Sequence, residues 1–291
     1  MKVFLNNRLV AADKARVSAF DHGFLYGDGI YETVRAYEYR VFHWPDHFRR
    51  LQNSARRLAL KCPWSSRYLL KAIDRVLRAN GEPNASVRIT VARGPGPLGL
   101  DPSVCPKPTL VILLHPARPL EKLWKNGISI GIVRVRRNHP RCLDPQIKSN
   151  NSLNTILAKM EAKKMKVFEA VLLNLDGYLT EGTTSNIFFV KDGVLHTPAF
   201  SCGLLEGVTR NEVIRLARGK GISVREGRYR VADLRRADEV LLTSTTLEVV
   251  SVVRVRQGAR GWKVGNGRPG PVTQHLHQLF RRNLFSRTRL G

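Results

Sequence analysis

Residues 144–162 read DPQIKSNNSLNTILAKMEA. They set one lysine, Lys148, between an Asp144-Pro145 turn and a run whose apolar residues Leu153, Ile156, Leu157 and Met160 recur at helical spacing. The amine therefore stands where extended chain gives way to a helix. A lysine amine beside other cations or apolar walls loses basicity and becomes a nucleophile toward carbonyls, able to form a Schiff base. Most lysines in any chain are solvated surface groups, so the rest of the sequence has to decide which kind Lys148 is.

Outward from that stretch, 291 residues suffice for two domains of ordinary size with an ample core. An apolar content of 43% and a charged content of 25% are those of a globular protein. The opening MKVFLNNRLVAADK has no apolar leader core, and no run approaches bilayer length, so a cytoplasmic location is expected. Cys62, Cys105, Cys142 and Cys202 are scattered without CxxC or metal-ligand spacing and read as reduced core thiols. No metal constellation is expected.

The net charge of +26 favours polyanions, which makes a basic nucleic-acid-binding protein the rival class. The arginines come in dispersed pairs, Arg49-Arg50, Arg56-Arg57, Arg136-Arg137, Arg235-Arg236 and Arg281-Arg282, without interleaved aromatics, and read as a solvated surface. Nucleic acid is therefore disfavoured, and steering of dicarboxylates is the milder reading.

Upstream, KVFLNNRLV reads as a hairpin and IYETVRAYEYRV, residues 30–41, as a strand pair. Pro45 opens a helix with Arg50, Ser54 and Arg57 on one face. A second helix over 66–79 stops at Asn80-Gly81, and strands follow near 86–92 and 110–115. This is an α+β first domain, residues 1–115. A proline- and charge-rich linker at 116–126 leads to a second domain, 127–291, rich in hairpins. Its turns fall at Asp176-Gly177, Asp192-Gly193 and Gly258, and a terminal helix starts near Pro271, with 281–291 expected to fray. GPGPLG at 94–99 and GNGRPG at 265–270 match G-x-G-x-x-G but lack the strand and helix context of a dinucleotide site.

A pyridoxal phosphate enzyme needs a lysine, an anion for the ring nitrogen and a phosphate cup of amides and hydroxyls, often with an arginine. Each has a candidate. Glu181 lies in YLTEGTTSNIFFV among small hydroxyl residues, GVTRNEV at 207–213 opens a helix whose dipole favours a phosphate, and LLTSTTLEVV at 241–250 ends a strand in hydroxyls.

Lys148 in IKSNNSLNTILAKMEA, Glu181 in TEGTTSN, GVTR at 207–210, TSTTLE at 243–248, HFRRLQNSA at 47–55 and YGDGIYETVR at 26–35 occur in an order and spacing that resemble the class IV (fold type IV) pyridoxal phosphate aminotransferases. The resemblance spans nearly the whole chain. It implies a small α/β N-terminal domain, a larger pseudo-barrel C-terminal domain, the cofactor in the cleft between them, and a homodimer. It also implies roles: Lys148 as Schiff-base lysine and proton shuttle, Glu181 on the pyridine nitrogen, Arg50 on the phosphate, with Val208, Thr209 and Thr245 completing the phosphate cup. Where members often carry a tyrosine soon after the lysine, this chain reads Ser149-Asn150-Asn151-Ser152.

Within the class, D-amino-acid aminotransferases resemble one another in an Arg-x-His carboxylate trap, where this chain has Leu98 and Leu100. That disfavours a D-amino acid. Similarity to the branched-chain enzymes makes Tyr26, Tyr31, Arg35, Arg88 and Thr246 the substrate residues, although Ser86 stands where a tyrosine is common. The expected reaction moves the amino group of leucine, isoleucine or valine to 2-oxoglutarate by a ping-pong route. D-amino-acid transamination and aminodeoxychorismate lyase activity remain alternatives.

Overall fold

The structure, a computed structural model, describes residues 1–117 and 120–287. The chain divides into two compact units, the first holding residues 1–117 and Ile147–Asn151, the second residues 120–146 and Ser152–Ser286. The expected linker 116–126 includes Arg118 and Pro119, which lie outside the described residues, as do 288–291 of the expected frayed end.

In the first unit, β1 (Lys2–Leu5) and β2 (Arg8–Ala11) form the terminal hairpin, turning at Asn6. A short helix α1 (His22–Leu25) is capped by the Asp21 carboxylate. Next come β3 (Gly29–Tyr37) and β4 (Arg40–Val41), joined through Glu38 and Tyr39, both at positive φ as a tight hairpin turn demands. Helices α2 (Trp44–Arg57) and α3 (Ser66–Ala79), then β5 (Ala85–Ala92) and β6 (Thr109–Pro116), complete it. The sheet order is β2-β1-β6-β5-β3-β4.

Alternation along β3 and β5 sends Ile30, Val34, Val87, Ile89 and Val91 into one core with Leu51 of α2 and Leu69, Ile73 and Leu77 of α3. Each such side chain contributes about 2 kcal/mol by burial. The same alternation leaves Tyr31, Thr33 and Arg35 in register with Thr90, Arg88 and Ser86 on the opposite face.

Strand β4 pairs only with Ala36 and Tyr37, so the N-terminal half of β3 keeps an open edge. Residues 147–151 fill it: Tyr31 N–H donates to the Lys148 carbonyl at 2.9 Å, and Asn150 N–H to the Gly29 carbonyl at 2.8 Å. This edge pairing groups Lys148 with the first unit, whereas the sequence reading assigns it to the 127–291 domain. Backbone hydrogen bonds to a distant strand have no local sequence signal.

The second unit starts with α4 (Glu121–Asn126), within the stretch read as linker, and β7 (Ile128–Arg136). Helix α5 (Leu153–Lys164), β8 (Glu169–Leu173), β9 (Leu179–Gly182), β10 (Asn186–Lys191) and β11 (Val194–Pro198) follow. Then come α6 (Val208–Arg218), β12 (Val224–Gly227), α7 (Val231–Arg235), β13 (Glu239–Ser244), β14 (Glu248–Gln257), β15 (Arg260–Lys263) and α8 (Pro271–Arg287). The sheet runs β10-β13-β14-β7-β8-β9 and closes through a β9–β10 pairing into a barrel-like ring, with β11, β12 and β15 outside it. Ile130, Ile132, Val171, Ile187, Phe189, Val240, Leu242 and Val252 fill its core. The fold class is thus the mixed α/β architecture that the resemblance implies.

Helix α5 forms where the spacing predicts it, but packs by an unexpected face. Its bulky stripe Leu153, Ile156, Leu157 and Met160 is exposed, and the helix packs through Ala158 and Ala162 against Val133, Ala170 and Leu172. Small residues let the helix axis approach the strands closely; periodicity alone does not say which face meets the core. Of the cysteines, all four are free, and Cys142 is exposed rather than in the core.

Candidate active site

In the first unit the site is built on the polar face of β3 and β5. The Lys148 ammonium lies 4.5 Å from the centroid of the Tyr31 ring, and the Arg88 guanidinium carbon 3.6 Å from the same centroid. The Lys148 charge pulls the Tyr31 phenol below its ordinary range, burial opposes it, and Arg88 adds to the lowering. Arg88 is steadied by Thr90 Oγ1 at 3.2 Å and Asn150 Oδ1 at 3.3 Å. Lys148 is fixed at its backbone, because its N–H donates to the hydroxyl of Ser54, fully buried on α2.

One turn away on α2, Arg50 forks onto Glu32, Nε to Oε1 at 2.6 Å and a terminal nitrogen to Oε2 at 2.8 Å. His47 Nδ1 is 2.9 Å from the same carboxylate. Burial raises the Glu32 carboxyl, but Arg50 and His47 outweigh it and hold it well below the usual carboxylate range. Burial likewise pushes the His47 imidazole below 6.5. Arg35 donates to Ser86 Oγ at 3.2 Å, and its buried Nε has no partner among the described residues. Tyr26 caps α1, packs edge-on to His22, and its hydroxyl accepts from Gly99 N–H at 3.1 Å.

In the second unit, Glu181 ends up with both carboxylate oxygens taken: Arg137 Nε donates to Oε1 at 2.7 Å and Leu205 N–H to Oε2 at 3.0 Å. Glu181 pairs across the barrel seam with Asn186, which in turn registers with Thr243. Asn186 Nδ2 donates to the Leu205 carbonyl, tying the approach to α6 onto this row. Gly207 is the N-cap of α6 and offers no side-chain cap, so the first amides, those of Val208 and Thr209, have no intrahelical or capping acceptor. A Cβ at Gly207 would stand 1.9 Å from Asn186 Oδ1, so any side chain there must displace the Asn186 amide from its bond to the Leu205 carbonyl. Thr245 and Thr246 occupy the β13–β14 turn, with Thr246 Oγ1 3.3 Å from Ser244 Oγ.

The structure thus gathers Lys148, Tyr31, Arg88 and, through Ser54, the Arg50 helix in one unit. It gathers Glu181, Val208 and Thr209 in the other. Two arginines of the dispersed pairs, Arg50 and Arg137, turn inward onto buried carboxylates instead of facing solvent. Arg137, Glu32 and His47 escape sequence reasoning, whereas Ser54 is placed there on the Arg50 face of its helix but given no role. The only signal was that Arg50, Ser54 and His47 share HFRRLQNSA; nothing local links Arg137 to Glu181.

These residues fit a pyridine carrying a phosphate monoester. A buried carboxylate is already held in one orientation, uncapped amides open α6, and the Ser185 and Thr243 hydroxyls, flanking Asn186 in sequence and register, are buried without a partner among the described residues. No group of acidic, histidine or cysteine side chains suited to a metal is found among the described residues.

Comparison with known proteins agrees. Residues 29–255 match the model of the family Amino-transferase class IV. A putative branched-chain-amino-acid aminotransferase of Methanocaldococcus jannaschii is 41% identical over 97% of this chain and 96% of its own. A D-alanine aminotransferase of Listeria monocytogenes is 36% identical over 96% and 95%. The branched-chain amino acid aminotransferase of T.th., solved with pyridoxamine 5'-phosphate, superposes with a TM-score of 0.91 at 31% identity, covering 98% of this chain and 94% of that one.

Proposed function

This chain belongs to the class IV aminotransferases, and from that premise we propose that it transfers the amino group of a branched-chain L-amino acid to 2-oxoglutarate. As a member of the class it is a pyridoxal-phosphate-dependent enzyme. When bound, that cofactor supplies a carbonyl for a lysine and a cationic ring that accepts the electrons of the substrate Cα–H bond.

Lys148 Nζ is the nucleophile and then the base that takes the Cα proton and returns it. The Tyr31 ring lies against the amine and is itself held by the Arg88 guanidinium, which fixes the surface the amine points along, the orientation that both steps need. That juxtaposition is the observation that carries the reading. Glu181, kept in place by Arg137 and Leu205, balances the ring nitrogen's proton. The amides of Val208 and Thr209, with the Thr209 and Thr245 hydroxyls and Arg50, take the phosphate; Glu32, which accepts the Arg50 fork and is itself held by His47, fixes the orientation of the guanidinium. Arg35, whose Nε has no partner among the described residues, receives the second carboxylate of 2-oxoglutarate, and Arg88 lies on the same sheet face. Tyr26 and Thr246 complete the substrate contacts. We place the enzyme in the cytoplasm as a homodimer; its free thiols suit a reducing compartment.

A D-amino-acid donor is the second reading, favoured by the D-alanine aminotransferase relative. Leu98 and Leu100, both strongly exposed and unable to bind a carboxylate, argue against it. The test is an amino-donor screen with 2-oxoglutarate that includes L-valine, L-leucine, D-alanine and aromatic donors. Turnover of the branched-chain L-donors supports the reading; turnover of D-alanine alone overturns it.

A further inference from the structure

Two buried carboxylates fasten α8 to the β13–β14 hairpin whose tip carries Thr245 and Thr246. At the foot of the hairpin Glu239 accepts from the first amides of α8, Val272 N–H at 2.9 Å and Thr273 N–H at 2.8 Å, and from the Thr273 hydroxyl at 2.7 Å. At the tip Glu248, only 1% exposed, accepts from Arg281 at 3.0 Å and lies 3.2 Å from His277 Nε2. Trp124 of α4 closes the assembly. Its indole N–H donates to the Leu247 carbonyl at 3.1 Å, its ring centroid is 4.5 Å from that of His277, and the Arg281 guanidinium carbon lies 5.1 Å from it.

Glu248 has a φ of 60°, a left-handed backbone that a glutamate keeps only where its surroundings over-determine it. Here they do, since its side chain is pinned by α8 and its predecessor by Trp124. A glutamate serving only to anchor α8 could sit on the straight part of the strand, as Glu239 does. Glu248 instead sits at the residue that closes the turn, in register with Ser244. Ser244 Oγ in turn accepts from Leu247 N–H at 3.1 Å and is 3.3 Å from the Thr246 hydroxyl.

We propose that Glu248, gripped by His277 and Arg281, is a positioning residue that fixes the turn Thr245-Thr246-Leu247 for its contacts with cofactor phosphate and substrate. The proposal rests on the assignment of Thr245 and Thr246 made above. The clamp acts on a phosphate contact, so its loss weakens ligands that carry the phosphate and spares those that lack it.

The test is a visible-absorbance titration of apoprotein with pyridoxal 5'-phosphate and, separately, with phosphate-free pyridoxal. The variants are Glu248→Gln, Arg281→Ala and Thr245→Val, each checked for folding by its melting curve. Glu248→Gln is expected to weaken pyridoxal phosphate binding about tenfold and Arg281→Ala roughly threefold, with pyridoxal changed less than about twofold. Arg281 is partly exposed, so its variant carries the test if Glu248→Gln does not fold. Equal losses for both ligands, or no loss in folded Arg281→Ala while Thr245→Val is weakened, overturns the clamp. If Thr245→Val itself binds normally, the assignment of the turn is what fails, and the clamp's purpose with it.

Discussion

Lys148 and Tyr31 are joined twice. The Tyr31 backbone N–H donates to the Lys148 carbonyl at 2.9 Å, and the Lys148 ammonium lies 4.5 Å from the Tyr31 ring centroid. The backbone bond sets where the lysine leaves the sheet edge, and the side-chain contact ties the titration of the phenol to the charge on the amine.

From that coupling, Lys148→Ala is expected to raise the Tyr31 phenol, because the largest lowering influence on it is the Lys148 charge. An ultraviolet difference titration against Tyr31→Phe, which removes the Tyr31 signal from the background of seven tyrosines, reads the shift. The same variant should lose transamination altogether. A Tyr31 titration unmoved by Lys148→Ala would contradict the pairing.

Acid should weaken the first unit in two stages. His47 is held below 6.5 in the fold, so the unfolded chain takes up its proton first and stability falls as pH drops below about 6.5. Glu32 is also depressed, so its contribution is present above the unfolded carboxyl value of about 4.3 and is lost as pH falls below it. Denaturant midpoints followed from pH 8 to pH 3 should show both declines, and Glu32→Gln should erase the second; these pH bounds are roughly the span of the two ordinary values.

Removing Arg137 strands a buried carboxylate. Arg137→Met is expected to cost about 3 kcal/mol of stability at neutral pH, since among the described residues Glu181 then keeps only the Leu205 amide. The double variant Arg137→Met with Glu181→Gln should recover much of that loss, which a thermal or denaturant double-mutant cycle measures. Simple additivity of the two losses would show that the pair is not coupled.

At Gly207 a methyl group would collide with Asn186 Oδ1. Gly207→Ala should therefore displace the Asn186–Leu205 link, lower stability by roughly 2 kcal/mol and weaken pyridoxal phosphate binding. A melting temperature and cofactor affinity equal to the parent's would show that the row of Glu181, Asn186 and Thr243 tolerates what the geometry forbids.

If Arg35 receives the distal carboxylate, Arg35→Gln raises the KM for 2-oxoglutarate about tenfold and leaves that of a monocarboxylate such as pyruvate nearly unchanged. Parallel KM changes for both acceptors would instead mark a general disturbance of the β3–β5 face.

The order of elements was legible in the chain because its signals are local. Asn6, Asp192-Gly193 and Gly258 mark hairpin turns, the apolar period of residues 66–79 matches α3 from end to end, and the hydroxyls and glycine of GVTR and TSTT mark the phosphate-binding candidates. Lys148 and Glu181 stand out as candidates for the same reason: each sits in a short motif of telling residues. What depends on which strand edge is open, which helix face meets a sheet, or which arginine turns inward came only with the tertiary structure. The open half of β3 that captures Lys148, the alanine face of α5 that packs while its leucines stay exposed, and the Arg137–Glu181 and Arg50–Glu32 pairs are all settled by burial and hydrogen-bond demand between residues far apart in sequence. Sequence reports what a residue can do; desolvation, acting through the whole fold, selects the partner with which it does it.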